Sequence, residues 1–394
     1  MNHKIAYLTS KNPFDKKESS GVYYYQSQAL KKYCGEVFFL GPVRNVFINM
    51  IIKSINIINR TTKKKYKHSH SIVISKIYGK IFTRKLRHKN YDFIYSDKSS
   101  CEIAYLKTNI PIIYSTDATF NLLHNYYPDF SNLYKISEKE GNIIEQKAIN
   151  NASLIVCTSE WAASSVKKDY NCTPEKIYVL PRGANIDMKV TKQTITRKRK
   201  TETCRLLFIG RECERKGYDM AYQTMAFIRS KGISVKMVVI GCNPPNELLD
   251  NDVEVIPFIN KNTKKGMIEF DRVMLNSDFF LLPTKAECVA IAFNEASAYG
   301  LPVITTDTGG VTEVVKNGIN GFAFKPNSLP KDLGEKIIEI FSSDEKYYSL
   351  VLSSREYYED RLNWDKWGEQ MAIILRKFSS PKNTNGHNQN IFKE

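Results

Sequence analysis

Apolar and polar positions alternate along this chain in two recurring patterns. Short apolar runs of about four to six residues are followed by longer stretches in which apolar residues recur every three or four positions. The short runs predict buried strands and the longer stretches predict helices, so their alternation predicts an α/β fold with doubly wound parallel sheets. In the first half, the predicted strands are 4–9, 37–40, 93–96, 112–115, 154–158 and 177–180, and the predicted helices are 23–33, 134–150 and 160–169.

A second series of the same kind begins at Cys204, after the polar and basic segment 189–200. The chain has 394 residues, which is enough for two domains, and this segment is the predicted boundary between them. The composition of 381–394 predicts a disordered tail. The predicted strands are 205–209, 236–240, 254–256, 279–282, 303–305 and 322–324, and the predicted helices are 218–230, 263–275, 290–299, 330–342 and 346–378, the last with a break near residue 363.

Two stretches of the second half suit a phosphate group. Arg211 and Lys216 lie between a predicted strand and a predicted helix, in the sequence Gly-Arg-Glu-Cys-Glu-Arg-Lys-Gly. A glycine turn with cations ahead of a helix N-terminus is a common way to hold phosphate. The alternative is a solvated helix start whose cations pair with the neighbouring glutamates. The turn at Gly309 and Gly310 can likewise present backbone N–H groups to an anion.

Two glutamates eight positions apart flank an apolar stretch. Glu287 and Glu295 need hydrogen-bond donors, because a carboxylate is costly to bury without them. A carboxylate accepts hydrogen bonds from two vicinal hydroxyls at once, so Glu295 suits a ribose. Together with the two phosphate sites, the pair predicts a sugar nucleotide as the ligand. The alternatives are a helix-surface acid for Glu295 and a loop acid facing Lys285 for Glu287.

The first half of the chain offers two further candidates. Gly21 lies between the first predicted strand and helix, where glycine lets the backbone approach a phosphate closely. An ordinary turn is the alternative. Asp117 follows the strand 112–115, and the carboxyl ends of parallel strands face the crevice in which ligands bind. It is a candidate for activating or orienting an acceptor hydroxyl, and a helix N-cap is the alternative.

The order of these motifs resembles that of family 4 glycosyltransferases, which are retaining enzymes of the GT-B architecture. The resemblance rests on Gly-Arg-x4-Lys-Gly, Glu-x7-Glu, Gly-Leu-Pro-Val and Gly-Gly-x2-Glu, and it covers about residues 205–325. It implies two Rossmann-like domains that face each other across a cleft. The implied parts are an acceptor-binding domain at 1–187, a nucleotide-sugar-binding domain at 201–360, and a C-terminal helix at 361–380 that packs back on the first domain.

The resemblance also implies roles for single residues. Arg211 and Lys216 would hold the leaving diphosphate, and Glu287 would contact the transferred sugar. Phe258 would flank the nucleobase, and a buried aromatic at a strand end is the alternative. The implied reaction moves a hexose from a nucleoside diphosphate sugar and uses no metal ion or other cofactor. UDP is expected as the nucleotide of this donor in preference to GDP or ADP. The implied acceptor is a glycan or a lipid-linked molecule in surface polysaccharide or lipopolysaccharide assembly. Backbone N–H groups expected to contact the sugar or phosphate are those of Cys288, Val289 and Ala290, where the family commonly has Gly-Phe-Pro.

The net charge of +17 is concentrated between residues 44 and 89, which hold thirteen Lys and Arg and no Asp or Glu. The apolar stretch 46–58 within this segment is predicted to form a helix. An apolar helix beside basic residues predicts contact with an anionic membrane surface. A buried helix followed by a solvated basic loop is the alternative. Nucleic acid is not expected as a partner, because no aromatic and basic recognition motif accompanies the charge.

Cysteine usage and hydropathy bear on the compartment. The eight cysteines form no Cys-x-x-Cys pair, so neither a zinc site nor a disulfide framework is expected. No signal peptide and no transmembrane helix is predicted. We therefore expect a cytoplasmic protein, peripheral on the inner face of the plasma membrane where the basic segment binds lipid. The alternatives to a transferase are a non-catalytic nucleotide- or carbohydrate-binding protein on the same scaffold and a sugar-nucleotide epimerase.

Overall fold

The computed structural model describes residues 2–187, 190–196 and 200–380, so the tail predicted to be disordered, 381–394, lies outside the described residues. Within them the chain forms two six-stranded parallel sheets. The first sheet contains β1 (His3–Tyr7), β2 (Gly35–Phe39), β3 (Phe93–Asp97), β4 (Ile112–Thr116), β5 (Leu154–Cys157) and β6 (Ile177–Val179). The second contains β7 (Cys204–Ile209), β8 (Val235–Ile240), β9 (Val253–Ile256), β10 (Phe279–Leu282), β11 (Val303–Thr306) and β12 (Gly321–Phe324).

The strand order shows where ligands can bind. It is β2-β1-β3-β4-β5-β6 in the first sheet and β12-β11-β10-β7-β8-β9 in the second. The direction of winding therefore reverses between β1 and β3 and again between β7 and β10. In open parallel sheets a crevice opens at such a reversal, at the carboxyl ends of the strands. The predicted α/β, doubly wound fold is confirmed.

Helices cover both faces of each sheet. The segment 72–86, interpreted from sequence as part of a basic surface segment, is a helix whose apolar residues recur at helical spacing and bury Ile74 and Phe82. The helices are α1 (Val22–Tyr33), α2 (Val46–Thr61), α3 (Ile72–Leu86), α4 (Ser100–Ile103), α5 (Phe120–Leu123), α6 (Lys135–Asn151), α7 (Glu160–Lys168), α8 (Lys192–Thr196), α9 (Tyr218–Ser230), α10 (Lys264–Asn276), α11 (Ile291–Ala298), α12 (Val311–Val314), α13 (Pro330–Phe341), α14 (Asp344–Arg361) and α15 (Trp364–Ser379).

The last helix leaves the second sheet and packs against the first. The chain breaks between α14 and α15, where the Asn363 side chain accepts a hydrogen bond from the backbone of Lys366 at 2.8 Å. Trp364 and Trp367 are then buried in the apolar cluster that contains α1 and the face of β1 and β3 beneath it. Burial of two indole rings strongly favours this position. No helix of the described residues is both long and apolar enough to cross a membrane.

Candidate active site

A cavity of about 540 Å³ lies between the carboxyl edges of the two sheets. We call the lining residues from the first sheet, together with Arg182, the N-terminal wall, and those from the second sheet and its connections the C-terminal wall. The cavity is within the usual size range of ligand pockets. The predicted site residues that line it are Asp117, Arg211, Lys216, Phe258, Glu287, Cys288, Val289, Ala290 and Glu295.

The loop between β7 and α9 brings Lys216 to Glu287. Gly217 has φ +75°, and a Cβ on it would lie 1.9 Å from the carbonyl oxygen of Pro283. Glycine therefore lets the start of α9 touch the end of β10. As a result, the Lys216 ammonium pairs with the Glu287 carboxylate, which is 7% exposed. Arg211 is exposed at the cavity and has no ion pair among the described residues.

Arg215 is a site residue to which the sequence analysis gave no role. Its guanidinium lies 3.6 Å from the Glu287 carboxylate and donates a hydrogen bond to the Ala286 carbonyl oxygen at 2.7 Å. Burial opposes its charge, but the bond to Glu212 and the charge of Glu287 more than offset this and raise its pKa. Glu287 is thus held between two cations. Its loop position next to Arg215 is a tertiary contact that the motif spacing does not encode.

The second glutamate also has a cationic partner. Glu295 lies on α11 and is 5% exposed, and its carboxylate accepts a hydrogen bond from the Lys261 ammonium at 2.6 Å. Lys261 also donates to the backbone carbonyl of Asn185 at 3.1 Å, so it links the two halves of the chain. Lys261 was missed from sequence, because a single lysine in the polar loop after β9 belongs to no recognisable motif.

On the N-terminal wall, Asp117 belongs to a partly buried charge network. Its carboxylate lies 3.0 Å from the Lys98 ammonium and 3.0 Å from Arg182, and Arg182 also contacts Asp97 at 2.6 Å. Burial alone would raise the pKa of Asp117, but the two cations outweigh it and hold the pKa well below its usual range. The N-cap of α5 is Thr119, not Asp117. The sequence analysis assigned no role to Lys98 or to Arg182.

Three predicted glycines lie outside the cavity lining. Gly21 is buried at the start of α1, and its neighbours Ser19 and Ser20 line the cavity instead. Gly309 and Gly310 support the loop that carries Glu287. A Cβ on Gly309 would lie 2.0 Å from the Glu287 carbonyl oxygen, so the two backbone segments can approach this closely only with glycine at position 309.

A disulfide joins two loops beside the cavity, which the sequence analysis did not expect. Cys213 follows β7 and Cys242 follows β8, and their Cα atoms are 5.8 Å apart. The expectation was wrong for this pair because parallel neighbouring strands bring together cysteines that are 29 positions apart in sequence. Among the residues that the structure describes, no cluster of three or more His, Cys, Asp or Glu side chains is placed to hold a metal ion.

Two parallel-sheet halves that face each other across a charged cleft define the GT-B class of glycosyltransferase folds. Residues 191–356 match the family model described as glycosyl transferases group 1. Residues 53–188 match the model described as glycosyltransferase family 4. The chain therefore belongs to the family 4, group 1 glycosyltransferases.

Individual relatives are distant. The chain is 27% identical over 315 residues to spore coat protein SA of Bacillus subtilis, covering 74% of this chain and 80% of that protein. It is 22% identical to the putative colanic acid biosynthesis glycosyltransferase WcaL of Salmonella typhimurium, covering 65% of this chain and 60% of WcaL. The crystal structure of Anabaena HepE in complex with UDP and glucose superposes with a TM-score of 0.62 at 16% identity, covering 95% of this chain and all of HepE.

Proposed function

We propose that this chain is a retaining glycosyltransferase that moves a hexose from a nucleoside diphosphate sugar to a hydroxyl of a glycan or lipid-linked acceptor. Two acid–cation pairs on the C-terminal wall, Lys216 with Glu287 and Lys261 with Glu295, carry the proposal. The acids can accept hydrogen bonds from sugar hydroxyls, and Lys216 can neutralise phosphate. The similar Anabaena protein was crystallised with UDP and glucose, which supports UDP as the nucleotide in preference to GDP or ADP.

We assign the acceptor to the domain 1–187, completed by 361–380, and the donor to the domain 201–360. The packing of α15 against α1 supports the first boundary, since Trp367 is 1% exposed within that apolar cluster. On the donor side, Glu295 binds the ribose hydroxyls and Phe258, whose ring is 53% exposed at the cavity, flanks the nucleobase. Aromatic rings that line a pocket commonly stack on bases.

The proposed reaction develops charge on the diphosphate. The bond from the anomeric carbon to the phosphate oxygen breaks, and negative charge grows on that oxygen. Arg211 and Lys216 stabilise this charge, because fixed cations act most strongly where charge appears in the transition state. The acceptor oxygen forms its bond to the anomeric carbon on the face that the diphosphate leaves, and its proton passes to the leaving phosphate. The configuration is therefore retained, and side chains rather than a metal ion neutralise the diphosphate.

Asp117 has a different part in this scheme. Its carboxylate lines the cavity and is held as an anion by Lys98 and Arg182. A carboxylate with such a low pKa is a weak base, so it is poorly matched to proton abstraction near neutral pH. We therefore propose that Asp117 accepts a hydrogen bond from the acceptor and orients it, while the leaving phosphate takes the proton.

We also propose that the N-terminal half binds an anionic membrane surface. The helix α2 exposes apolar side chains, among them Val46 at 72%, Phe47 at 70% and Ile57 at 63%. The basic residues 63–65 follow it and are exposed. Lys67, two residues further, lies 4.2 Å from the ring of Phe130, which lines the cavity. A lipid-linked acceptor held at this surface would thus lie beside the cleft, which fits assembly of a surface polysaccharide or lipopolysaccharide.

Vesicle sedimentation tests the membrane proposal. The protein should co-sediment with vesicles that contain phosphatidylglycerol and much less with vesicles of phosphatidylcholine alone. Replacing Lys63, Lys64 and Lys65 together by Gln should weaken binding, since each basic residue near an anionic surface contributes about 1 kcal/mol. Phe47→Ser should weaken it through lost apolar contact. Binding that depends neither on the lipid charge nor on these substitutions would exclude the proposal.

Nucleotide-dependent stability tests the donor site. We expect UDP to raise the melting temperature more than GDP or ADP, with the same shift in the presence of a chelator, because a ligand of the native state stabilises it. The shift should disappear in Lys216→Ala and Glu295→Ala. Lys285→Ala is the matched control, because this exposed lysine pairs with Asp219 outside the cavity lining. If no nucleotide shifts the melting temperature, the transferase proposal fails and a non-catalytic scaffold is favoured.

A further inference from the structure

Two consecutive tyrosines of the N-terminal half reach across the cleft to the loop that carries Glu287. The Tyr126 hydroxyl accepts a hydrogen bond from the Glu287 backbone N–H at 2.8 Å and lies 2.8 Å from the Thr308 hydroxyl. The Tyr127 hydroxyl accepts one from the Cys288 backbone N–H at 3.0 Å. Both N–H groups are therefore already occupied by the opposite half of the chain.

Tyr127 also contacts the side chains around Glu287. Its hydroxyl lies 3.5 Å from the Glu287 carboxylate and 3.3 Å from the Cys288 sulfur. The Arg215 guanidinium carbon lies 4.8 Å from the centre of its ring, within the range of a cation–π contact. Burial, with Glu287 and Cys288 nearby, raises the pKa of Tyr127, so the phenol stays protonated and remains a donor.

We infer that Tyr127 is a positioning residue for the transferred sugar and that it selects a neutral hexose over a hexuronic acid. The inference rests on the proposed function, in which Glu287 contacts this sugar. Tyr127 fixes the Glu287 loop from the opposite wall and blocks the Cys288 N–H, a donor that a sugar carboxylate would need. The Lys216 and Arg215 cations beside this loop are already paired with the Glu287 carboxylate. That carboxylate only accepts hydrogen bonds, so it favours sugar hydroxyls and repels a second carboxylate.

The ratio of the Kd of UDP to the Kd of UDP-glucose measures how much Tyr127 contributes to binding of the sugar. UDP, UDP-glucose and UDP-glucuronate would be titrated calorimetrically into the wild-type chain and into Tyr127→Phe, which keeps the ring. The variant loses the bond from the Cys288 N–H and the contact to the charged Glu287 carboxylate, so the gain in affinity from UDP to UDP-glucose should fall about 10-fold. The preference for UDP-glucose over UDP-glucuronate should narrow, because the Cys288 N–H becomes free. The Kd of UDP itself should not change.

Tyr222→Phe is the matched control. It also removes a phenol–carboxylate contact, to Asp250 at 3.2 Å, but neither residue lines the cavity. All three affinities should stay at their wild-type values in this variant. The inference is overturned if Tyr127→Phe leaves the glucose gain and the glucuronate discrimination intact, or if it weakens UDP as much as UDP-glucose. Failure of the wild-type chain to bind any nucleotide would instead overturn the proposed function.

Discussion

The two walls of the cleft hold their charges in different ways. On the C-terminal wall each acid meets a cation that is partly open to the cavity, and the Lys261 side chain is 22% exposed. On the N-terminal wall Arg182 lies between Asp97 and Asp117 with its side chain only 3% exposed. A ligand can displace or share the first kind of contact, whereas the Arg182–Asp97 pair is closed to it and only the Asp117 carboxylate of this network faces the cavity. Charged residues that line one cleft can therefore serve binding on one side and folding on the other.

This contrast predicts which property each substitution changes. A buried ion pair that loses one partner leaves an uncompensated charge in the protein interior, which lowers the free energy of unfolding. A cation at the ligand surface loses its effect mainly when the reaction develops charge, which lowers the rate. We therefore expect variants of the buried Arg182 to unfold more easily and variants of Lys216 to fold normally but react slowly.

The largest effect is expected for Arg182→Met. It leaves Asp97 and Asp117 without their shared cation and should lower the free energy of unfolding by about 3–5 kcal/mol. Urea unfolding followed by circular dichroism measures this. Arg229→Met is the control, because Arg229 pairs with Asp250 and Asp252 at the surface and such pairs contribute less than about 1 kcal/mol. Equal losses in the two variants would remove the distinction between the walls.

The next effect concerns the C-terminal wall and the rate. Lys216→Ala should lower the rate of UDP release from the donor about 10²–10³-fold, because the leaving diphosphate loses a fixed cation. Its urea midpoint should stay close to that of the wild-type chain. Lys285→Ala should keep both the rate and the stability. A Lys216→Ala protein that is unstable but active when folded would contradict the proposal that Lys216 stabilises the leaving diphosphate.

An intermediate effect is expected for the disulfide, which lies beside the cavity in the C-terminal half. Replacing Cys213 and Cys242 together by Ser should lower the free energy of unfolding by about 3 kcal/mol, because the unfolded chain regains the freedom of the closed loop. UDP affinity should also fall, since Cys213 anchors the loop that carries Arg211. A reductant should reproduce both losses in the wild-type chain and leave the double variant unchanged. A wild-type chain that is insensitive to reductant would speak against this role.

The smallest effect is a pH dependence within the N-terminal half. Burial raises the pKa of Glu145 to about 7, and its carboxyl group accepts a hydrogen bond from the Tyr114 hydroxyl at 2.8 Å. Between pH 4.5, its usual pKa, and pH 7, the folded state keeps a proton that the unfolded state releases. Stability should therefore fall as the pH rises through this window.

Glu145→Gln tests this pH dependence because it keeps a hydrogen-bond acceptor for Tyr114 and does not ionise. Urea midpoints measured at pH 5 and pH 7.5 should differ less in the variant than in the wild-type chain. Equal differences would show that another group causes the pH dependence. Glu145 thereby differs from Glu287 and Glu295, the acids that line the cavity.

Local patterns were enough to predict much of the fold. All twelve predicted strands lie within two residues of the observed ends, because strands that helices bury on both faces read as short apolar runs. Glu287, Glu295 and Lys216 could be singled out because each lies in a compact motif of the second half of the chain. The helix α3 was not predicted, because basic residues stand between the apolar residues that recur at helical spacing.

The sequence by itself determined the alternation of strands and helices, the two-sheet class and the residues at strand ends that face the cleft. Only the tertiary structure decided which charges meet. Contacts between segments far apart in sequence were decided in the same way. These contacts are Lys261 with Glu295, Arg182 with Asp117, Cys213 with Cys242, and Tyr127 with Cys288. Such pairs depend on strand order and on how the two halves face each other, because contact requires a distance of a few ångströms that no local spacing specifies.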